Sequence, residues 1–152
     1  MIKIGRRKLK KIIEESDLFD KVHYLQEYKD ARKGLFSPLA HYCNKGIKED
    51  LKPNSVFDPI WYREFYSDIK ADGAYPFIHF IVHGQFEKRF VNEKEQQLYD
   101  VMNNSGLFDK KTYQSLNKDL SILGEDFDFL FHYVRYGKSE GRMFSATMLE
   151  KP

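Results

Sequence analysis

Apolar and polar positions along this chain fall into one pattern that is written three times. In its clearest part, Leu39, Tyr42 and Cys43 stand at i, i+3 and i+4, the spacing of an inward helical stripe. Phe77, Phe80 and Ile81 repeat it, and so do Leu130, Tyr133 and Val134. Upstream of each stripe a shorter apolar cluster carries Tyr24, Tyr62 or Tyr113. The first two copies are offset by 38 residues, from Asp20 to Asp58 and from His41 to His79; Asp109 follows Asp58 by 51, because residues 93–106 intervene.

The punctuation between these clusters is helix punctuation. Asp20, Asp58 and Asp109 precede the first cluster, where a carboxylate caps free N–H groups, and Pro59 suits a first helical position. Asp30, Asp68 and Asp119 mark the exit into a loop with Gly34, Gly73 or Gly124. Ser37 and Asp128 are caps for the second helix, a role Tyr75 does not fill. Gly46, Gly84 and Gly137 end that helix, as left-handed closing residues do. Each unit therefore reads as two short helices and a returning tail. Helices this short need packing partners, so the units are expected to stack.

A longer period overlies the short one. Ile12-Ile13, Ser16 and Leu18-Phe19-Asp20 are echoed 89 residues later by Val101-Met102, Ser105 and Leu107-Phe108-Asp109. A longer helix thus precedes copies one and three but not copy two, and the superunit reads helix, repeat, repeat. The expected fold is all-α: three tandem helix-pair repeats stacked in a single domain over 1–152. Its parts are a basic lead helix (1–16), repeat 1 (17–54), repeat 2 (55–92), an inserted helix (93–106), repeat 3 (107–145) and a tail (146–152). On this reading the chain is the front of something longer.

Composition narrows the class. No apolar run approaches the roughly 18 residues of a membrane span, and the start lacks a signal peptide's apolar stretch. The lone Cys43 cannot form an internal disulfide, which fits a reducing, cytoplasmic location. A net charge of +2 does not call for nucleic acid. Aromatics reach 16 %, and most occupy repeated positions, which makes them packing surface first.

The set Phe57-Asp58-Pro59, Trp61-Tyr62, Asp68, Pro76-Phe77, His79-Phe80, Gly84 and Glu87, with its counterparts and the Glu140-Gly141-Arg142 tail, resembles a known type of module. It is similar to short repeats that accompany bacterial cell-surface polysaccharide glycosyltransferases of the rhamnan-synthesis type, over roughly residues 17–145. The chain departs from that pattern at Lys29, Ser67 and Lys118, which replace a proline. It departs again at Asp50 and Lys88, which replace the tail glycine. The resemblance implies polysaccharide assembly as context, with the polysaccharide, a glycosyltransferase domain or a partner enzyme to bind, and no catalytic role.

Four functional readings compete with architecture. His41, His79 and His132 belong to separate units, so they are expected to bond an aspartate, tyrosine or backbone group of their own unit, not to share a metal. His83, four residues after His79, has no echo. Asp30, Asp68 and Asp119 with Glu49, Glu87 and Glu140 have the residue types of a sugar-active acid/base pair, but recur three times where an enzyme needs one site. No catalytic residue, metal or cofactor is assigned. Trp61 aligns with His23 and Thr112, so its column is not a core column; with Tyr66 it is the sugar-binding candidate. Lys3, Arg6, Arg7, Lys8, Lys10 and Lys11 interleave with apolar residues and suit an anionic membrane face. The expected function is a non-catalytic binding or positioning module in a surface-polysaccharide glycosyltransferase system. The alternatives are a carbohydrate-binding module and a small sugar-active enzyme.

Overall fold

A computed structural model describes residues 5–33 and 36–145. Among them every regular element is helical and none is a strand. Lys3, Gly34 and the tail from 146 on lie outside the described residues.

The lead helix α1 spans Arg6–Ser16. Repeat 1 follows with α2 (Lys21–Glu27), α3 (Asp30–Lys33) and α4 (Pro38–His41). Repeat 2 has α5 (Pro59–Phe65), α6 (Ser67–Asp72) and α7 (Pro76–His79). The inserted helix α8 spans Glu93–Ser105, and repeat 3 carries α9 (Lys110–Leu116) and α10 (Phe129–His132). The caps are those the sequence predicts. Asp20 accepts from the N–H groups of Val22 and His23, Asp58 from Trp61 and Asp109 from Thr112. Ser37 accepts from Ala40 and Asp128 from Phe131, while the Tyr75 side chain caps nothing.

Two local expectations are corrected. Asp30 and Asp68 do not mark an exit into a loop: they lie in the first turns of α3 and α6, and Asp119 lies in a short 3₁₀ turn, Lys118–Leu120. These segments bury Ala31, Ile69 and Leu120. That apolar anchor is why a third helical piece forms where only a connection was expected.

Gly46, Gly84 and Gly137 are not left-handed either; among the described glycines positive φ belongs to Gly73, Gly106 and Gly141. Each of α4, α7 and α10 instead runs on into a π-helical turn, Tyr42–Gly46, Phe80–Gly84 and Tyr133–Gly137. Their wide i→i+5 bonds run from Ile47 N–H to Tyr42 C=O (2.8 Å), from Gln85 to Phe80 (3.0 Å) and from Lys138 to Tyr133 (2.8 Å).

The chain divides into two compact units, one up to Asn92 and one from Glu93 on, where a single continuous stack was expected. The division falls where the 89-residue period restarts. In the first unit α1 lies against the π-helical turn of repeat 1 and the second helix of repeat 2, burying Leu9 and Ile13. The two repeats meet through the edge-on rings of Tyr42 and Phe77, 5.9 Å apart, and through a two-pronged Arg63–Asp50 ion pair. In the second unit α8 lies against α10 and its π-helical turn. There Glu95 of α8 pairs bidentately with Arg135, both side chains nearly buried, and the guanidinium lies over the Phe131 ring. Each unit thus has its own core, and the leading helix is held by packing in the first and also by an ion pair in the second.

Every repeat also closes on itself. The N–H of Asp20 donates to Pro53 C=O and that of Asp58 to Val91 C=O, both at 3.0 Å. The Asn54 amide donates to Leu18 C=O and the Asn92 amide to Val56 C=O. The N–H groups of Lys52 and Phe90 donate to the hydroxyls of Tyr28 and Tyr66, and in repeat 3 the amide of Asn117 reaches Met143 C=O.

Candidate functional site

The repeated polar residues converge within each unit, not between units. Tyr24, Tyr62 and Tyr113 are wholly buried. Their hydroxyls meet Nδ1 of His41 (2.9 Å), His79 (3.0 Å) and His132 (3.0 Å). Burial pushes the Tyr62 and Tyr24 phenols well up and that of Tyr113 up to about 12. The phenols therefore keep their protons, and each hydroxyl can donate to the Nδ1 it faces. Burial, and then the neighbouring guanidinium, lower the affinity of His79 and His132 for a second proton. The expectation that each histidine bonds within its own unit is met, with tyrosine as the shared partner.

Beside each pair stands an exposed ionic network. Arg89 takes Asp68 in a fork at 2.9 and 2.6 Å and also bonds Glu87. Arg142 likewise joins Asp119, at 2.8 Å, to Glu140. Repeat 1 has Leu51 at that place, and Lys45 substitutes from the π-helical turn, reaching Asp30 at 2.8 Å and Glu49 at 3.8 Å. His41 Nε2 lies 3.5 Å from Asp30. Hydrogen bonds from Lys45, Arg89 and Arg142 hold Asp30, Asp68 and Asp119 below the usual carboxylate range. A glycosidase general acid needs the opposite shift. In all three copies these carboxylates fit ion pairing better than proton donation. Among the described residues no group of three His, Cys, Asp or Glu side chains is placed to hold a metal ion.

The glycine at the end of each π-helical turn answers to the tyrosine. A β-carbon on Gly46 would stand 2.6 Å from the Tyr24 hydroxyl, and Gly84 and Gly137 face Tyr62 and Tyr113 in the same way. The close approach, not backbone handedness, demands glycine there. The left-handed place comes four residues later, at Asp50 (φ 52°), Lys88 (φ 55°) and Gly141 (φ 69°). Asp50 and Lys88 are the residues that depart from the glycine of the resembled tail.

The remaining candidates divide by exposure. Cys43 is buried, with its thiol pushed up to about 11 by burial, and serves packing. Arg6, Arg7, Lys8, Lys10 and Lys11 all lie on the exposed side of α1, with Lys10 and Lys11 paired to Glu14 and Glu15. The apolar stripe of α1 faces the core, so the helix has no greasy side left to sink into a bilayer. No described helix is long and apolar enough to cross a membrane.

Trp61, expected in an exposed column, is half-buried: it packs on the core of the first unit and stacks on Phe65 at 4.5 Å. Phe65 is the exposed member of that pair. Beside it an open, shallow cleft of about 520 Å³ lies between the α5–α6 junction and the returning tail of repeat 2, lined by Phe65 and Phe90 together with Asp68, Glu87 and Arg89. The Arg89 guanidinium also lies 4.7 Å above the Tyr66 ring.

No protein-family profile matches the chain, and no curated protein and no solved structure is significantly similar to it.

Proposed function

We propose that this chain is a non-catalytic binding and positioning module of a bacterial surface-polysaccharide glycosyltransferase system, cytoplasmic and peripheral to the inner membrane. One observation carries the reading. The three histidines are taken up, copy by copy, by the same bond to a buried tyrosine, and the three aspartates by ion pairs within their own repeats. What differs from copy to copy is the exposed surface, as in repeat scaffolds that hold other molecules. The resemblance to polysaccharide-associated modules supplies the context, with a glycosyltransferase domain or its polymer as partner. The exposed cations of α1 suit attraction to anionic headgroups by charge alone.

Deletion of this chain from a producing bacterium tests the reading. Surface polymer should shorten or disappear, while the transferase keeps its sugar-nucleotide turnover in extracts. Normal polymer in the deletion strain, or turnover abolished by substituting any one repeated histidine in a folded protein, overturns it.

A further inference from the structure

The aromatic cleft of repeat 2 is built on shared architecture but lined in part by residues the architecture does not require. Its ionic lining, Asp68 with Arg89 and Glu87, recurs in repeat 3 as Asp119 with Arg142 and Glu140. Its aromatic lining does not recur. Phe65 aligns with Glu27 and Leu116, and Phe90 with Lys52 and Met143. Aromatic rings at both places are a choice made in one copy.

The chemistry of the cleft selects a class of ligand. Its charged lining is balanced, Asp68 and Glu87 against Lys88 and Arg89. A phosphate or a metal cation therefore finds no net attraction. Side by side it offers aromatic rings, carboxylate acceptors and guanidinium donors. A pyranose ring has the matching halves: a face of C–H groups and a rim of hydroxyls that both donate and accept. The ionic lining is also ordered in advance, because Arg89 is forked onto Asp68, bonded to Glu87 and laid over Tyr66. Little ordering cost remains for a ligand to meet. The volume lies within the range of small-ligand clefts, ~300–1,000 Å³.

We infer that the repeat 2 cleft binds a neutral pyranose unit of a polysaccharide, with Phe65 and Phe90 against the C–H face and Asp68, Glu87 and Arg89 on the hydroxyls. This rests on the binding-module reading and names the ligand class of its surface.

Amide NMR of the full chain, titrated with methyl glucoside, methyl mannoside and methyl rhamnoside, tests the cleft directly. At least one should shift residues 65–68 and 87–90 in fast exchange and leave 116–119 and 140–143 still. The double variant F65L/F90M imports the residues of repeat 3 and keeps apolar bulk, so the fold is retained; it should weaken binding at least tenfold. The reciprocal L116F/M143F should create shifts in repeat 3. Absence of cleft shifts with all three glycosides, or shifts that persist in F65L/F90M, overturns the inference. Co-sedimentation with soluble surface polysaccharide separates the two proposals. Equal capture of wild type and F65L/F90M leaves the module standing without this cleft, whereas cleft shifts without normal polymer dependence in the deletion strain leave the cleft without the module.

Discussion

The phenolic oxygen of Tyr62 occupies the space that any side chain on Gly84 would need. The relationship holds for Tyr24 with Gly46 and Tyr113 with Gly137, and it is bound up with the histidine, because the same oxygen bonds His79. Tyr62 is wholly buried and cannot swing aside. Gly84→Ala should therefore destabilise the first unit by roughly 1–3 kcal/mol, the cost of overpacking. In Tyr62→Phe the oxygen is gone, so the double variant should cost less than the two single changes summed. Urea unfolding of the four proteins measures that coupling; simple additivity would refute the packing account.

Loss of the histidine acceptor should be felt more than loss of the surface carboxylate. His132→Ala leaves the buried Tyr113 hydroxyl without its partner and should cost about 1–3 kcal/mol. Asp68→Ala breaks an exposed network and should cost less, by an amount that shrinks as salt is added. Thermal unfolding at low and high ionic strength distinguishes the two.

Stability should fall in two steps on acidification. Burial lowers His79 and His132 below their ordinary value of 6.5, so the unfolded chain takes up those protons first. That contribution is complete above pH 6.5 and drains as pH falls through the lowered folded values. The carboxylates of Asp68 and Asp119 are held by arginine below their ordinary 3.8, so their share is present above 3.8 and is lost below it. Denaturant midpoints across pH should show both steps, and His79→Gln with His132→Gln should remove the upper one. A midpoint that rises as pH drops from 7 to 5 would contradict the burial argument.

Lys88 holds a left-handed backbone that glycine adopts freely. Lys88→Gly should raise stability by about 0.5–1 kcal/mol, the relief of left-handed strain less the added freedom of the unfolded chain. Asp50→Gly should not, because it forfeits the ion pair with Arg63 that joins repeats 1 and 2. Chemical denaturation of the two variants side by side checks the sign of each.

Binding to anionic vesicles should be weak and purely electrostatic. Lys8→Glu with Lys11→Glu should abolish flotation at 0.1 M salt, and about 1 M salt should do the same to the wild type, as screening shortens to about 3 Å. Vesicle binding that survives high salt would require a buried apolar contact, which the inward stripe of Leu9 and Ile13 does not leave available.

Much of the fold was legible because it is written in local rules. An aspartate ahead of an apolar stripe has one favourable use, and Asp20, Asp58, Asp109 and Asp128 all serve it. The 89-residue echo marked where a long helix returns, but one continuous domain was read from it, and the division near Asn92 was not. The glycines misled for a physical reason: a required glycine signals either a left-handed turn or a close neighbour, and only the folded chain brings Tyr62 beside Gly84. The cleft was half legible. Column variation pointed to Trp61, one helical turn from the exposed ring of Phe65, but the place of Phe90 on the same cleft depends on a tail that returns 25 residues later.

That return has a genetic corollary. Asp58 and Val91 stand one hydrogen bond apart at the two ends of repeat 2, and Asp20 and Pro53 do the same for repeat 1. A segment whose ends already touch can be copied or excised in a single recombination event without leaving a gap to bridge. Relatives of this chain should differ first in how many such segments they carry, and only afterwards in the segments themselves.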